Sequence, residues 1–203
     1  MYTKLPNLVL GFHGCDLKVY DSVIMHKESL KASSNDYDWL GHGQYFWENN
    51  YERALEWAIE QSKRPNSHIK TPAVIGSIID LGYCLNLMDK PSIMMVKNAY
   101  EMMQKDFELI KVAMPVNKNI RNNEDLLIRN LDCAVIQYLH NYNKKHNEAQ
   151  YDSVRGVFAE GDALYENAGF RTKTHIQICV VNPNCIKGYF TPIINGNIDY
   201  MIP

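Results

Sequence analysis

Four short stretches of this chain carry side chains whose types and spacing could do chemistry. The first is Phe12-His13-Gly14-Cys15, where His13 offers a neutral donor or acceptor and Gly14, lacking a Cβ, lets a planar ligand approach the backbone. By spacing alone a single histidine is more often structural, so that alternative stays open. The second is Gly41-His42-Gly43-Gln44-Tyr45-Phe46-Trp47-Glu48, in which glycines precede three consecutive aromatics. Such rings stack on flat ligands, or they pack on the two faces of a strand, Tyr45 and Trp47 on one and Phe46 on the other. In the third, Thr174 to Val180, a period of two puts His175, Gln177 and Cys179 on one face and Ile176, Ile178 and Val180 on the other. A buried Gln177 needs hydrogen-bond partners, because an unsatisfied amide costs about 1–3 kcal/mol. The fourth, Phe158-Ala159-Glu160-Gly161-Asp162, holds two carboxylates in a Gly-bearing segment, with a solvated loop as the plainer reading.

Other chemistries fit less well. His13, Cys15 and His42 lack zinc-ligand spacing, and Cys133 and His140 lie seven apart on a helical pattern that suits core packing better than a thiol dyad. No metal site is expected. The cluster Lys144-Lys145-His146 fits a helix C-terminus. With 21 Lys and Arg against 23 Asp and Glu, the net charge of -2 argues against binding nucleic acid or a membrane surface by bulk charge. A local groove remains open. The five cysteines are odd in number and sit in apolar stretches, the usage of reduced buried thiols. Together with an N-terminus free of a long apolar run, and no stretch of about 18 apolar residues, this reads as a cytoplasmic protein without signal peptide or membrane span.

The elements that must position these residues follow from pattern. At 203 residues, 46% of them hydrophobic, one domain of residues 1–203 is expected. Leu8 to Phe12 reads as a strand ending at His13-Gly14, and Asp16 as the N-cap of a helix bearing Val19 or Tyr20 and Val23 or Ile24. Gln44 to Trp47 reads as a strand, and Asn49-Asn50 as the cap of a helix with Ala54, Trp57 and Ala58 on its apolar face. Pro72 to Leu87 reads as a buried strand bent near Gly82. Apolar residues recur at helical spacing from Val96 to Met114 and from Leu127 to Tyr142. Strands are expected again at 154–158, 174–181 and 185–190. Strands at both ends flanking a helical middle, with no GxGxxG or GxxxxGK, predict an α+β fold rather than a doubly wound nucleotide-binding sheet.

In order, Phe12-His13-Gly14, then Gly41-His42-Gly43-Gln44-Tyr45-Phe46 before a helix containing Ala54, then Gln177-Ile178-Cys179-Val180-Val181, resemble the ADP-ribosyltransferase superfamily in its His-Tyr-Glu branch. The likeness covers roughly residues 8–60 and 150–190, and the segment at about 91–146 looks like a helical insertion. This sequence has Gln177 where that branch has its catalytic Glu. The resemblance implies a split antiparallel β-sandwich whose cleft binds NAD as co-substrate. Gly14 would hold the nicotinamide carboxamide through its backbone, His13 the adenosine ribose, and Tyr45 would stack on the nicotinamide ring. Gly43, Phe46 and Trp57 would complete the NAD-binding set. The implied reaction is mono-ADP-ribosyl transfer, by cleavage of a glycosidic carbon–nitrogen bond through an oxocarbenium-like state. Gln177 and Glu160 are the expected catalytic residues, Gln177 orienting a ribose hydroxyl and Glu160 supplying charge. The partner would be a macromolecular acceptor, protein or nucleic acid, and a toxin or defence role fits by analogy. The alternatives are a non-catalytic module binding NAD or ADP-ribose, and an NAD glycohydrolase.

Overall fold

A computed structural model describes residues 8–119 and 127–193. The expectations for residues 1–7 and for the middle of the insertion, 120–126, lie outside the described residues. The chain runs β1 (Leu8–Asp16), α1 (Leu17–Ile24), β2 (Gln44–Glu48), α2 (Tyr51–Ser62), β3 (Pro72–Asp80), β4 (Cys84–Asn86), α3 (Lys90–Leu109), β5 (Asn117–Lys118), β6 (Ile128–Arg129), α4 (Asn130–Lys145), β7 (Ser153–Phe158), β8 (His175–Val180) and β9 (Ile186–Phe190). The fold is α+β. Seven strands form one sheet in the order β4-β7-β8-β2-β1-β3-β9, antiparallel at every step except β4 against β7, while β5 and β6 make a small ribbon. Among the described residues no helix is long and apolar enough to cross a membrane.

Local signals start α1 and α2 where the sequence puts them. Asp16 accepts from the Lys18 N–H and starts α1, and Asn50 accepts from the Arg53 N–H at 3.0 Å and starts α2. The bend near Gly82 is real: φ is +58° there, and it separates β3 from β4. Three boundaries differ, the first being α3, which ends at Leu109, short of Met114. The first strand continues through His13-Gly14 to Asp16, because β3 pairs with it over nine positions, from Leu8↔Asp80 to Asp16↔Pro72. The second amphipathic helix begins at Asn130, and Leu127 lies outside it.

Strand alternation sorts the core into two layers. One face buries Phe46, Ile75, Ile79, Ile178 and Val180 with Val23 of α1 and Leu30. The other face is shared. Phe12, Trp47 and Val74 pack under Ala54 of α2, and Val154 and Cys179 pack with Leu40 under Ala99 and Met103 of α3 and Val135, Ile136 and Leu139 of α4. Helices α3 and α4 thus cover the sheet half bearing β7 and β8.

The expectation of two separate sheets needs correcting in one respect. The halves are joined, because β1 and β2 pair at Gly11↔Glu48 and Phe12↔Trp47. Beyond Phe12 the two strands part.

Candidate functional site

The site begins where β1 leaves β2. Along an antiparallel strand the N–H and C=O of alternate residues point to alternate neighbours. The Asn49 N–H donates to Leu10 O at 2.8 Å, so even-numbered residues of β1 aim toward β2, and the Leu17 N–H donates to Thr71 O, so odd-numbered ones aim toward β3. Gly14 therefore turns its N–H and C=O toward β2 at the level where the ladder has ended. The position opposite it in the Phe12↔Trp47 register is Tyr45. The His13 ring spans this divergence: its Nδ1–H donates to Tyr45 O at 2.7 Å, which leaves Nε2 as the acceptor of the neutral ring. Burial lowers the His13 pKa and keeps the imidazole neutral.

Sequence reasoning assigned the missing Cβ of Gly14 to a ligand, whereas the structure gives it a packing cause. A Cβ there would drive into the carbonyl oxygen of Ala54, so Gly14 also gives α2 room to lie against the strand. Gly43 is enclosed likewise by Val180 O and Cys179 Sγ. Phe46 is a fully buried core residue, with His13 5.8 Å from its ring. Tyr45 is anchored through its hydroxyl, which donates to Gly41 O at 2.7 Å and accepts from the Leu40 N–H at 3.0 Å. Burial pushes the Tyr45 phenol well above its ordinary pKa.

On β8, Gln177 lies between Trp47 of β2 and Gly156 of β7. The Trp39 indole N–H donates to Gln177 Oε1 at 2.7 Å. An indole only donates, so this bond fixes the amide with its oxygen on Trp39 and its NH₂ turned away. Trp39 is itself held between Gly156 and Arg129, whose guanidinium stands 5.3 Å from the Trp39 ring centre and 4.4 Å from that of Phe158. Beyond Trp39 a cavity of about 390 Å³ opens between α3 and α4, lined mainly by Val96, Tyr100, Leu131 and Ile136.

Glu160 stands apart from Gln177 in its bonding. It accepts from Arg53 Nη2 at 3.0 Å, and Arg53 is 6% exposed. This pair ties the segment after β7 to α2. One turn on from Arg53 along α2 is Trp57, whose ring lies 5.5 Å from that of Trp47. Trp47 in turn lies 6.2 Å from His175. The His175 Nδ1–H donates to Lys173 O at 2.6 Å, and burial, aided by the charge of Arg53, lowers its pKa.

The structure thus brings His13, Gly14, Tyr45 and Phe46 to the divergence of β1 and β2, and Gln177 one strand away behind Trp47. Trp57 of α2 lies beside Trp47, Glu160 bonds Arg53 of the same helix, and Gly43 lies just before β2. Trp39, Trp47, Arg53 and His175 were not among the expected catalytic or NAD-binding residues. Only the alternation that put Tyr45 with Trp47 and His175 with Gln177 hinted at two of them.

No family model matches this chain, and no solved structure matches it. An uncharacterised protein of Methanocaldococcus jannaschii is similar to it, 27% identical over 193 residues that span 87% of this chain and 83% of that one.

Proposed function

We propose that this protein is an NAD-dependent mono-ADP-ribosyltransferase acting on a macromolecular acceptor, with the split antiparallel NAD-binding core of that superfamily. The observation that carries the reading is the divergence of β1 and β2 after Phe12↔Trp47, with Gly14, His13 and Tyr45 at the gap and Gln177 on the next strand. A backbone N–H and C=O pointing together into a gap match a carboxamide, which needs one acceptor and one donor. His13 Nε2 is an acceptor suited to a ribose hydroxyl, and Tyr45 and Trp57 supply ring surface for a flat cation. Gln177 presents an amide NH₂ that orients the ribose. A neutral side chain there does little to neutralise an oxocarbenium ion, which favours one transfer over rapid chain growth.

The test is release of nicotinamide from NAD and transfer of labelled ADP-ribose to cell extract. Wild-type protein should do both, and Gln177→Ala should slow release by roughly 100-fold. Equal rates in wild type and variant would refute a role for Gln177. A second reading, a non-catalytic NAD-binding module, is favoured by the replacement of a carboxylate with Gln177. Tight NAD binding without release would select it.

A further inference from the structure

His175 and Trp47 leave an unusual pair of buried groups on the sheet face that bears Gln177. His175 is 5% exposed and Trp47 4% exposed, and neither His175 Nε2 nor Trp47 Nε1 has a hydrogen-bond partner among the described residues. Their chemistry is opposite. Because Nδ1–H of His175 is spent on Lys173 O, Nε2 of the neutral ring carries a lone pair, whereas the Trp47 indole nitrogen only donates. The two rings lie 6.2 Å apart, Trp47 directly across from Gln177 and His175 two residues before it on β8. Phe158, 5.5 Å from His175, and Trp57 close the sides with apolar rings. Unpaired buried polar groups are costly, and each calls for a reason such as a catalytic role or a bound molecule.

From this geometry we infer that Trp47 Nε1 and His175 Nε2 form the subsite for the acceptor, and that the acceptor group is a neutral hydroxyl for which His175 is the general base. The inference rests on the reading of the site given above. A hydroxyl accepts from the indole and donates to the imidazole through one oxygen. A guanidinium or ammonium has nothing to offer the indole, and a carboxylate has no proton for the imidazole. Neighbouring groups cannot take the role, since Gln177 turns an NH₂ outward and Glu160 is bonded to Arg53. The charges of Arg53 and Glu160 offset each other, leaving the floor suited to a neutral acceptor. In the step, the bond from ribose C1′ to the nicotinamide nitrogen breaks and its electron pair leaves with neutral nicotinamide. The hydroxyl oxygen forms the new bond to C1′, and its proton passes to His175 Nε2 and then to solvent.

Small acceptors test this directly. The protein is incubated with NAD in methanol–water, or with agmatine as a guanidinium acceptor, and products are separated by mass. Methyl ADP-ribose with no agmatine adduct is expected. His175→Asn keeps an N–H toward Lys173 O but removes the acceptor nitrogen, and should cut methanolysis by roughly 100-fold with NAD affinity unchanged. Trp47→Phe, which keeps the ring and loses the N–H, should also lower it, and decides the matter if His175→Asn does not fold. An agmatine adduct in comparable yield, or methanolysis unchanged in the folded variants, would overturn the inference while leaving the NAD site standing. Absence of nicotinamide release by the wild type would overturn the site reading and this inference with it.

Discussion

Gly14 shows one residue meeting two demands, a backbone turned into the gap between strands and a bare Cα beneath a helix. Gly14→Ala forces its methyl against the Ala54 carbonyl, which is backbone and yields little, so it should destabilise by about 1–3 kcal/mol. Gly169→Ala, where nothing lies within 4 Å of the added carbon, is the control and should leave the urea midpoint nearly unchanged. Asp16 is a second residue doing more than its local role. Its carboxylate accepts from the N–H of Lys18 at the start of α1 and from those of Lys70 and Thr71 just before β3. Those N–H groups, Thr71 foremost, hold its pKa below the ordinary value. A depressed folded-state pKa gives stability that is present above the unfolded value, about 3.9, and is lost as pH falls through the folded one. Asp16→Asn should therefore be less stable than wild type near neutral pH and converge on it below about pH 4, as read by urea unfolding across pH. The cap itself was legible from Asp16 and its neighbours. The bonds to Lys70 and Thr71 were not, because they join positions more than fifty residues apart.

Helix α2 is the element that gathers the site. Asn50 starts it, Ala54 and Ala58 let it lie close on β1, and Arg53 and Trp57 project from it toward Trp47 and Glu160. The Arg53–Glu160 bond is the link between α2 and the chain leaving β7. Glu160→Ala leaves a buried guanidinium less compensated, and the expected loss is about 2 kcal/mol, between the values for exposed and buried pairs. Adding Arg53→Met should recover most of it in chemical denaturation. Recovery would mean that the ion pair is structural; a further loss would mean that Arg53 stabilises by other contacts. The helix and its cap were readable from spacing, as were the strands bearing Tyr45 and Gln177. What spacing hides is register: Trp47↔Gln177 and the end of pairing after Phe12 depend on strands that meet only after folding. The same cause hides the bond between Glu160 and Arg53, which lie 107 residues apart.

At the scale of the molecule, the α+β class and the helical middle were evident from strands clustered at the ends of the chain. The single sheet was not, since two paired positions at the β1–β2 junction decide between one sheet and two. Helices α3 and α4 cover the half of the sheet that carries β8, and Trp39, which lies against Gly156 and Arg129, donates to Gln177. On the function proposed above, the gap beside Gly14 is the place where a flat carboxamide would find paired backbone groups. The most direct measurement is NMR of the amide resonances with and without NAD. The Gly14 and Tyr45 amides, which face the gap, should shift and gain protection from hydrogen exchange, while His13 and Cys15, whose amides face β3, should change far less. Shifts confined to the cavity lined by Val96, Tyr100 and Leu131, with Gly14 unmoved, would contradict the account.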